Sequence, residues 1–162
     1  MNEKIFISIG SNIEAKKNIS FALKKLTLII DSIKVSPSYI TSPWGGVPQD
    51  NFMNLVISGY YSKKPLGLLE ECQKIENQCK RERSLKNGPR TLDLDILLFG
   101  SQIINLPSLA VPHPGLYERD FMLVPLLDIS PQVLDPISKK PFLSMKDEVK
   151  FFLNTSMKIR KF

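Results

Sequence analysis

Apolar and polar positions alternate with a period of two in several short stretches of the chain, and recur every three to four residues in two longer ones. Lys4–Ile9 (KIFISI) sets Ile5, Ile7 and Ile9 on one face and Phe6 and Ser8 on the other, which predicts a strand ending at Gly10. Gly10-Ser11-Asn12 follows as a tight turn, and Ser11 with Glu14 has the spacing of a capping box. Ile19, Ala22, Leu23, Leu26, Ile29 and Ile30 keep helical spacing, so a helix is predicted over residues 15–31. Ile33–Ile40 reads as a second strand, and Pro37 within it argues for a sheet edge. Residues 41–51 hold two prolines, two glycines and no periodicity, and predict a long loop; Phe52–Tyr61 is the third strand. Pro65 at a helix start, then Leu68, Cys72, Ile75 and Cys79, predict a second helix over 65–80. A basic loop, residues 80–87, leads out of it.

Between Gly88 and Gly100 the chain reads GPRTLDLDILLFG, apolar from Thr91 to Phe99 except for two aspartates. The length and apolar content predict a central strand, with Asp93, Asp95 and Leu97 on one face and Leu94, Ile96 and Leu98 on the other. Two carboxylates on one face of a buried strand repel each other unless something positive lies between them. They stand about 6.6 Å apart along the strand, within reach of one divalent ion or a close pair of ions. Neutralisation by neighbouring Lys or Arg is the other way to place them there. Beyond Gly100, Ile103–Ile104 and Leu109–Val111 read as short strands, and Met122–Leu127 is an apolar segment of undetermined type. Residues 145–153 fit a small amphipathic helix.

The order strand–helix–strand–strand–helix–strand is the split β-α-β unit of ferredoxin-like folds. The expected class is therefore α+β: an antiparallel-rich sheet, helices on one face, and a C-terminal extension. At 162 residues, 43% hydrophobic and 23% charged, the chain fits one domain over residues 1–162. No apolar run reaches membrane-spanning length and the chain enters a strand pattern at once, so no membrane and a cytoplasmic setting are expected. Cys72 and Cys79 lie about 10.5 Å apart along a helix axis, too far to bridge, which fits a reducing compartment.

The net charge of +6 suits an anionic ligand or a solvated basic surface. Its distribution says more, since Arg81, Arg83, Lys86 and Arg90 all precede the aspartates closely. Carboxylates flanked by that many cations suggest a magnesium–polyphosphate complex. Neither a Walker A sequence nor a G-x-G-x-x-G is present, and one His with two helical Cys is a poor zinc set.

Five segments carry a resemblance: Ile9-Gly10-Ser11-Asn12; Pro48-Gln49-Asp50 with Phe52 and Asn54; Gly88-Pro89-Arg90-Thr91-Leu92-Asp93-Leu94-Asp95; Val111-Pro112-His113; and Arg119-x-Phe121-Met122. Together they resemble the 6-hydroxymethyl-7,8-dihydropterin pyrophosphokinases of folate biosynthesis. The resemblance implies a ferredoxin-like fold and transfer of pyrophosphate from ATP to a pterin hydroxymethyl group, releasing AMP. It implies that Asp93 and Asp95 ligate two Mg²⁺ ions, and that Arg81, Arg90, His113 and Arg119 lie at the phosphates. Gln73, Glu76 and Ile96 would adjoin the nucleotide. Phe52 and Phe121 would sandwich the pterin, whose polar edge would meet Asn54 and backbone groups of Thr41, Ser42 and Trp44. Implied partners are these small molecules alone, with no nucleic acid, and a monomer. Asn87, Ser108, Pro114 and Phe52 depart from residues that many members carry, which leaves open how the loops close over ATP. An RNA-binding sheet is the competing class, but neither KIFISIG nor TLDLDILLFG has the aromatic pattern it needs.

Overall fold

The computed structural model describes residues 1–80 and 86–149. The elements run β1 (Glu3–Ser11), α1 (Ala15–Leu26), β2 (Asp31–Val35), β3 (Tyr39–Thr41), β4 (Phe52–Tyr61), α2 (Pro65–Gln78), β5 (Asp93–Phe99), β6 (Ile104–Leu106), β7 (Leu109–Val111) and α3 (Asp120–Ile129). Short 3-10 helices cover Pro114–Tyr117 and Phe142–Glu148. The main sheet has the order β2-β4-β1-β5, with β3 also paired to β4, and every pairing is antiparallel. That is the ferredoxin-like arrangement expected, with the second strand split in two at Pro37. β6 and β7 form a separate hairpin.

The two faces of the sheet divide the apolar residues. On one face Ile5, Ile7, Ile9, Leu55, Ile57, Leu94 and Ile96 pack under Ile19, Ala22 and Leu26 of α1 and Leu68, Cys72 and Ile75 of α2. Fully burying one such Ile or Leu contributes about 1.5–3 kcal/mol, so this layer dominates the stability. The C-terminal extension packs on the other face. There α3 and the 3-10 segments bring Leu116, Met122, Leu123, Leu126 and Phe142 onto Phe6, Val56, Leu97 and Leu98. The segment of undetermined type is thus a helix, and its sides are apolar because it lies between the sheet and the Phe142 segment. That layer covers only part of the face. The part toward the C-terminal ends of β1 and β5's start holds Ser8, Gly10, Asn54, Asp93 and Asp95, paired as Gly10↔Asp93, Ser8↔Asp95 and Gly10↔Asn54.

Several local expectations change. The aspartate strand is not central: β5 ends the sheet order. It reads as central because helices and extension bury both its faces, while its outer edge meets the chain after β7, where the His113 N–H donates to the Leu97 carbonyl at 2.9 Å. Strict alternation also fails within it. The pairing moves from Ile7↔Ile96 to Phe6↔Leu98, so Leu97 is an extra, bulged residue. Leu98 therefore turns away from Leu94 and Ile96 and packs with Phe6, and Phe99 takes the helix side.

The first helix stops at Leu26 rather than 31, in a tight turn closed by the Leu28 and Ile29 N–H groups donating to Lys25 and Leu26. Ile30 still packs inward, onto Gly59, where a Cβ would lie 2.4 Å from its Cγ2. No capping box forms. Glu14 takes a left-handed conformation (φ 43°) before the helix, and Ser11 Oγ instead donates to the Thr91 carbonyl at 2.6 Å. The second helix ends at Gln78, and the predicted 145–153 helix is a 3-10 helix over Phe142–Glu148, with 150–153 outside the described residues. Cys72 and Cys79 are both free, as their spacing required. No described helix is long and apolar enough to cross a membrane.

Candidate active site

Two clefts open on the molecule near the start of β5, and they share two residues. The first is lined by Thr41, Ser42, Trp44, Phe52, Asn54, Arg90, Asp93, Asp95, Arg119 and Phe121, together with Ser8, Gly10, Asn87, Gly88 and Met122. The second lies under the β6–β7 hairpin, between Leu69, Leu94, Ile96, residues 106–110 and His113–Gly115. Asp95 and Arg119 belong to both.

Phe52 enters the first cleft from β4, and Phe121 enters it from the first turn of α3 laid over the same sheet face. Each is half-buried, so each leaves ring surface for a ligand. The polar floor is set by Asn54, whose Nδ2 donates to Thr41 Oγ1 at 2.7 Å in a buried pair across β3 and β4. Gly10 is required beside it, since a Cβ there would stand 2.5 Å from Asn54 Oδ1. Tyr39, two residues before Thr41 on β3, donates its hydroxyl to the Asp128 carboxylate and so ties α3 to the sheet.

Asn12 joins the loops around this cleft. Its backbone N–H donates to the Arg90 carbonyl at 3.0 Å, and its Oδ1 accepts the Arg90 N–H at 2.8 Å. Its Nδ2 donates to Gln49 Oε1 at 3.0 Å and to the Asp50 carbonyl at 2.9 Å. Gln49 closes the circuit by donating Nε2 to the Asn87 carbonyl at 2.6 Å. One turn residue thus fixes both the 42–51 loop and the approach to β5. Both Asn12 and Gln49 stand in the segments that carry the resemblance, which was the only sequence signal for them. Asn12→Ala is expected to speed hydrogen exchange of the 42–51 and 86–91 amides several-fold while leaving that of β1 and β4 unchanged. Global destabilisation without this local contrast would contradict the assignment.

His113 lines the second cleft, its Nε2 3.7 Å from Asp95 Oδ1. Its Nδ1 accepts the Gly115 N–H at 3.0 Å, which puts the proton of the neutral ring on Nε2. Burial, reinforced by the Arg119 charge and opposed by Asp93, pushes its pKa down to about 4. The contact with Asp95 is therefore made by a neutral imidazole, and His113 presents an N–H donor to the second cleft.

Of the sequence-predicted residues, Thr41, Ser42, Trp44, Phe52, Asn54, Arg90, Asp93, Asp95, Arg119 and Phe121 come together in the first cleft. Asp95, Ile96, His113 and Arg119 come together in the second. Gln73 and Glu76 line neither. Glu76 is buried on the helix side, where its carboxylate accepts the Leu94 N–H at 2.8 Å, so it holds β5 in place from behind. Gln73 is exposed one turn beyond Leu69, which does line the second cleft. Arg81 and Arg83 lie outside the described residues.

Residues 6–131 match the family described as 7,8-dihydro-6-hydroxymethylpterin-pyrophosphokinase (HPPK). Among curated proteins, the chain is 39% identical over 147 residues to a 2-amino-4-hydroxy-6-hydroxymethyldihydropteridine pyrophosphokinase of Aquifex aeolicus, covering 89% of this chain and 91% of that one. A protein of the same name from Bacillus subtilis is 42% identical over 136 residues, covering 82% and 81%. Among solved structures, a Plasmodium falciparum HPPK-DHPS superposes with a TM-score of 0.75 at 15% identity, over 91% of this chain and 43% of that one. This last likeness concerns the fold.

Proposed function

The chain belongs to the 7,8-dihydro-6-hydroxymethylpterin-pyrophosphokinase family, and from that premise we propose that it transfers pyrophosphate from ATP to the hydroxymethyl group of 6-hydroxymethyl-7,8-dihydropterin. The observation that carries this reading is the sharing of Asp95 and Arg119 by two adjoining clefts. One cleft has aromatic side chains and a buried amide for a flat heterocycle. The other has an apolar lining and a neutral imidazole N–H for a nucleotide and its phosphates.

In this reading the pterin lies between Phe52 and Phe121 with its polar edge toward Asn54, which Thr41 orients. The adenine end of ATP occupies the cleft under β6–β7, alongside Ile96, with Gln73 at its outer end. The triphosphate crosses the junction. Its oxygens accept from His113 Nε2–H and from the guanidinium groups of Arg90 and Arg119, and Arg81, outside the described residues, is carried over from the resemblance as a further phosphate cation. The pterin hydroxyl oxygen attacks the β-phosphorus as its proton passes to solvent, the bond from that phosphorus to the α–β bridging oxygen breaks, and AMP leaves carrying the electron pair.

Magnesium fits the donor set. Asp93 and Asp95 are half-exposed on one sheet face, and no group of three His, Cys, Asp or Glu side chains is clustered for a metal among the described residues. Mg²⁺ commonly takes one or two carboxylates and completes its shell with water and phosphate oxygens. Two ions held by the aspartates would neutralise the phosphates and orient the hydroxyl. The protein's part is positioning: the aromatic walls keep water from the hydroxyl, and the arginines hold the phosphate chain in line.

A single catalytic domain working as a monomer on small molecules completes this reading. α3 lies on the sheet face that a single-stranded RNA would need. The test is incubation with ATP, the hydroxymethyl pterin and Mg²⁺. AMP and pterin diphosphate should appear one to one, and EDTA should stop both. ADP formation, or AMP without a phosphorylated pterin, would overturn the proposal.

A further inference from the structure

Trp44 is the chain's only tryptophan, and it lies in the loop between β3 and β4. The guanidinium carbon of Arg119 stands over its ring, 5.4 Å from the centroid. Arg119 is one of the two residues common to both clefts, whereas Trp44 lines the first cleft alone. The nearest carboxylate oxygen to the Arg119 side chain among the described residues, Glu118 Oε1, is 3.9 Å from Nε, beyond hydrogen-bond reach, and Nε is buried without a hydrogen-bond partner.

The difference between these two neighbours matters chemically. A carboxylate in close contact would consume the in-plane N–H donors of the guanidinium and cancel its charge. An aromatic face holds the cation by its flat side and leaves the N–H edge free. The turn that places the indole is itself fixed. Gly45 and Gly46 have φ of +91° and +75°, and a Cβ on Gly45 would lie 2.5 Å from Asn87 Nδ2. Asn87 packs closely against this turn.

We infer that the Trp44 side chain is a positioning residue: through its ring face beneath Arg119 it holds the guanidinium at the junction of the clefts with its donors available to the phosphates. The inference rests on the function proposed above. It has a consequence that a simple wall residue would not have. Removing the indole should weaken nucleotide binding with no pterin present, although Trp44 does not line the nucleotide cleft.

The experiment is equilibrium binding of a non-hydrolysable ATP analogue with Mg²⁺, and separately of the pterin, to wild type, Trp44→Leu, Trp44→Phe, Arg119→Ala and the Trp44→Leu/Arg119→Ala double variant. Trp44→Leu should weaken the analogue about 3- to 10-fold, the scale of a partly buried cation–π contact, and Trp44→Phe should restore most of it. In the Arg119→Ala background, Trp44→Leu should change analogue affinity no further, because its partner is already gone. Indole fluorescence, which reports Trp44 alone, should respond to the analogue in wild type and not in Arg119→Ala. The inference is overturned if Trp44→Leu weakens only the pterin, if its effect on the analogue persists without Arg119, or if the fluorescence ignores the analogue in wild type. Wild-type protein that binds neither ligand and makes no AMP would remove the functional reading beneath it.

Discussion

Asp93→Ala and Asp95→Ala are each expected to lower pyrophosphoryl transfer by about 10²- to 10⁴-fold, the scale seen when preorganised electrostatic groups are removed. The two carboxylates lie on one sheet face, opposite Gly10 and Ser8 on β1, and in the proposed reading they hold the metal between them. Losing one would misplace both ions and the attacked phosphorus together. Residues acting as a unit are not additive, so the double variant should be scarcely slower than the slower single one. Stability should hold or rise in EDTA, because removing one of two neighbouring carboxylates relieves repulsion. Single-turnover transfer at saturating ATP and varied Mg²⁺, with melts in EDTA, checks both parts. Near wild-type rates for either single variant, or a double loss equal to the product, would show that the pair is not one metal site.

Phe52→Ala and Phe121→Ala are expected to weaken pterin binding by about 1–3 kcal/mol each, from lost apolar burial and ring stacking, and to spare the ATP analogue. The sparing follows from the geometry: both rings line the first cleft and neither lines the second. Phe121 also packs against the α3 layer, so its variant should lose some thermal stability, while Phe52, at the start of β4, should lose less. Calorimetric titration of each ligand separately decides the matter. Equal losses for both ligands would mean a packing defect instead of a missing wall.

Much of this was legible in the sequence where a residue's environment is set by periodicity. α2 follows its pattern closely because one face of it meets a single apolar layer, and β1 and β4 because an unbroken alternation assigns successive residues to the two layers. The aspartate pair stood out for the same reason, as two charges breaking an apolar strand. Where the alternation breaks, or an element is apolar on most sides, the pattern misleads. β5 read as central because both faces are buried, and α3 could not be typed because it is apolar around much of its circumference, with Pro125 inside it. The bulge at Leu97 has no composition signature, since one Leu replaces another on the sheet face. The hydrogen bond that Glu76 accepts from the Leu94 amide is a long-range contact that spacing on a helix does not encode. Asn12 was visible only as part of a matched segment. Its role depends on three stretches of chain meeting at one turn. Likewise the aromatic walls: Phe52 and Phe121 are ordinary core candidates until the fold sets them in one cleft.

The central claim is spatial: pterin and nucleotide occupy adjoining clefts that meet at Asp95 and Arg119. A crystal structure with a non-hydrolysable ATP analogue, Mg²⁺ and the hydroxymethyl pterin tests it most directly. The account predicts the pterin ring between Phe52 and Phe121, the base under the β6–β7 hairpin, and the hydroxyl oxygen facing the β-phosphorus beside metal held by Asp93 and Asp95. A triphosphate bound away from that junction, or a pterin outside the Phe52–Phe121 cleft, would contradict it.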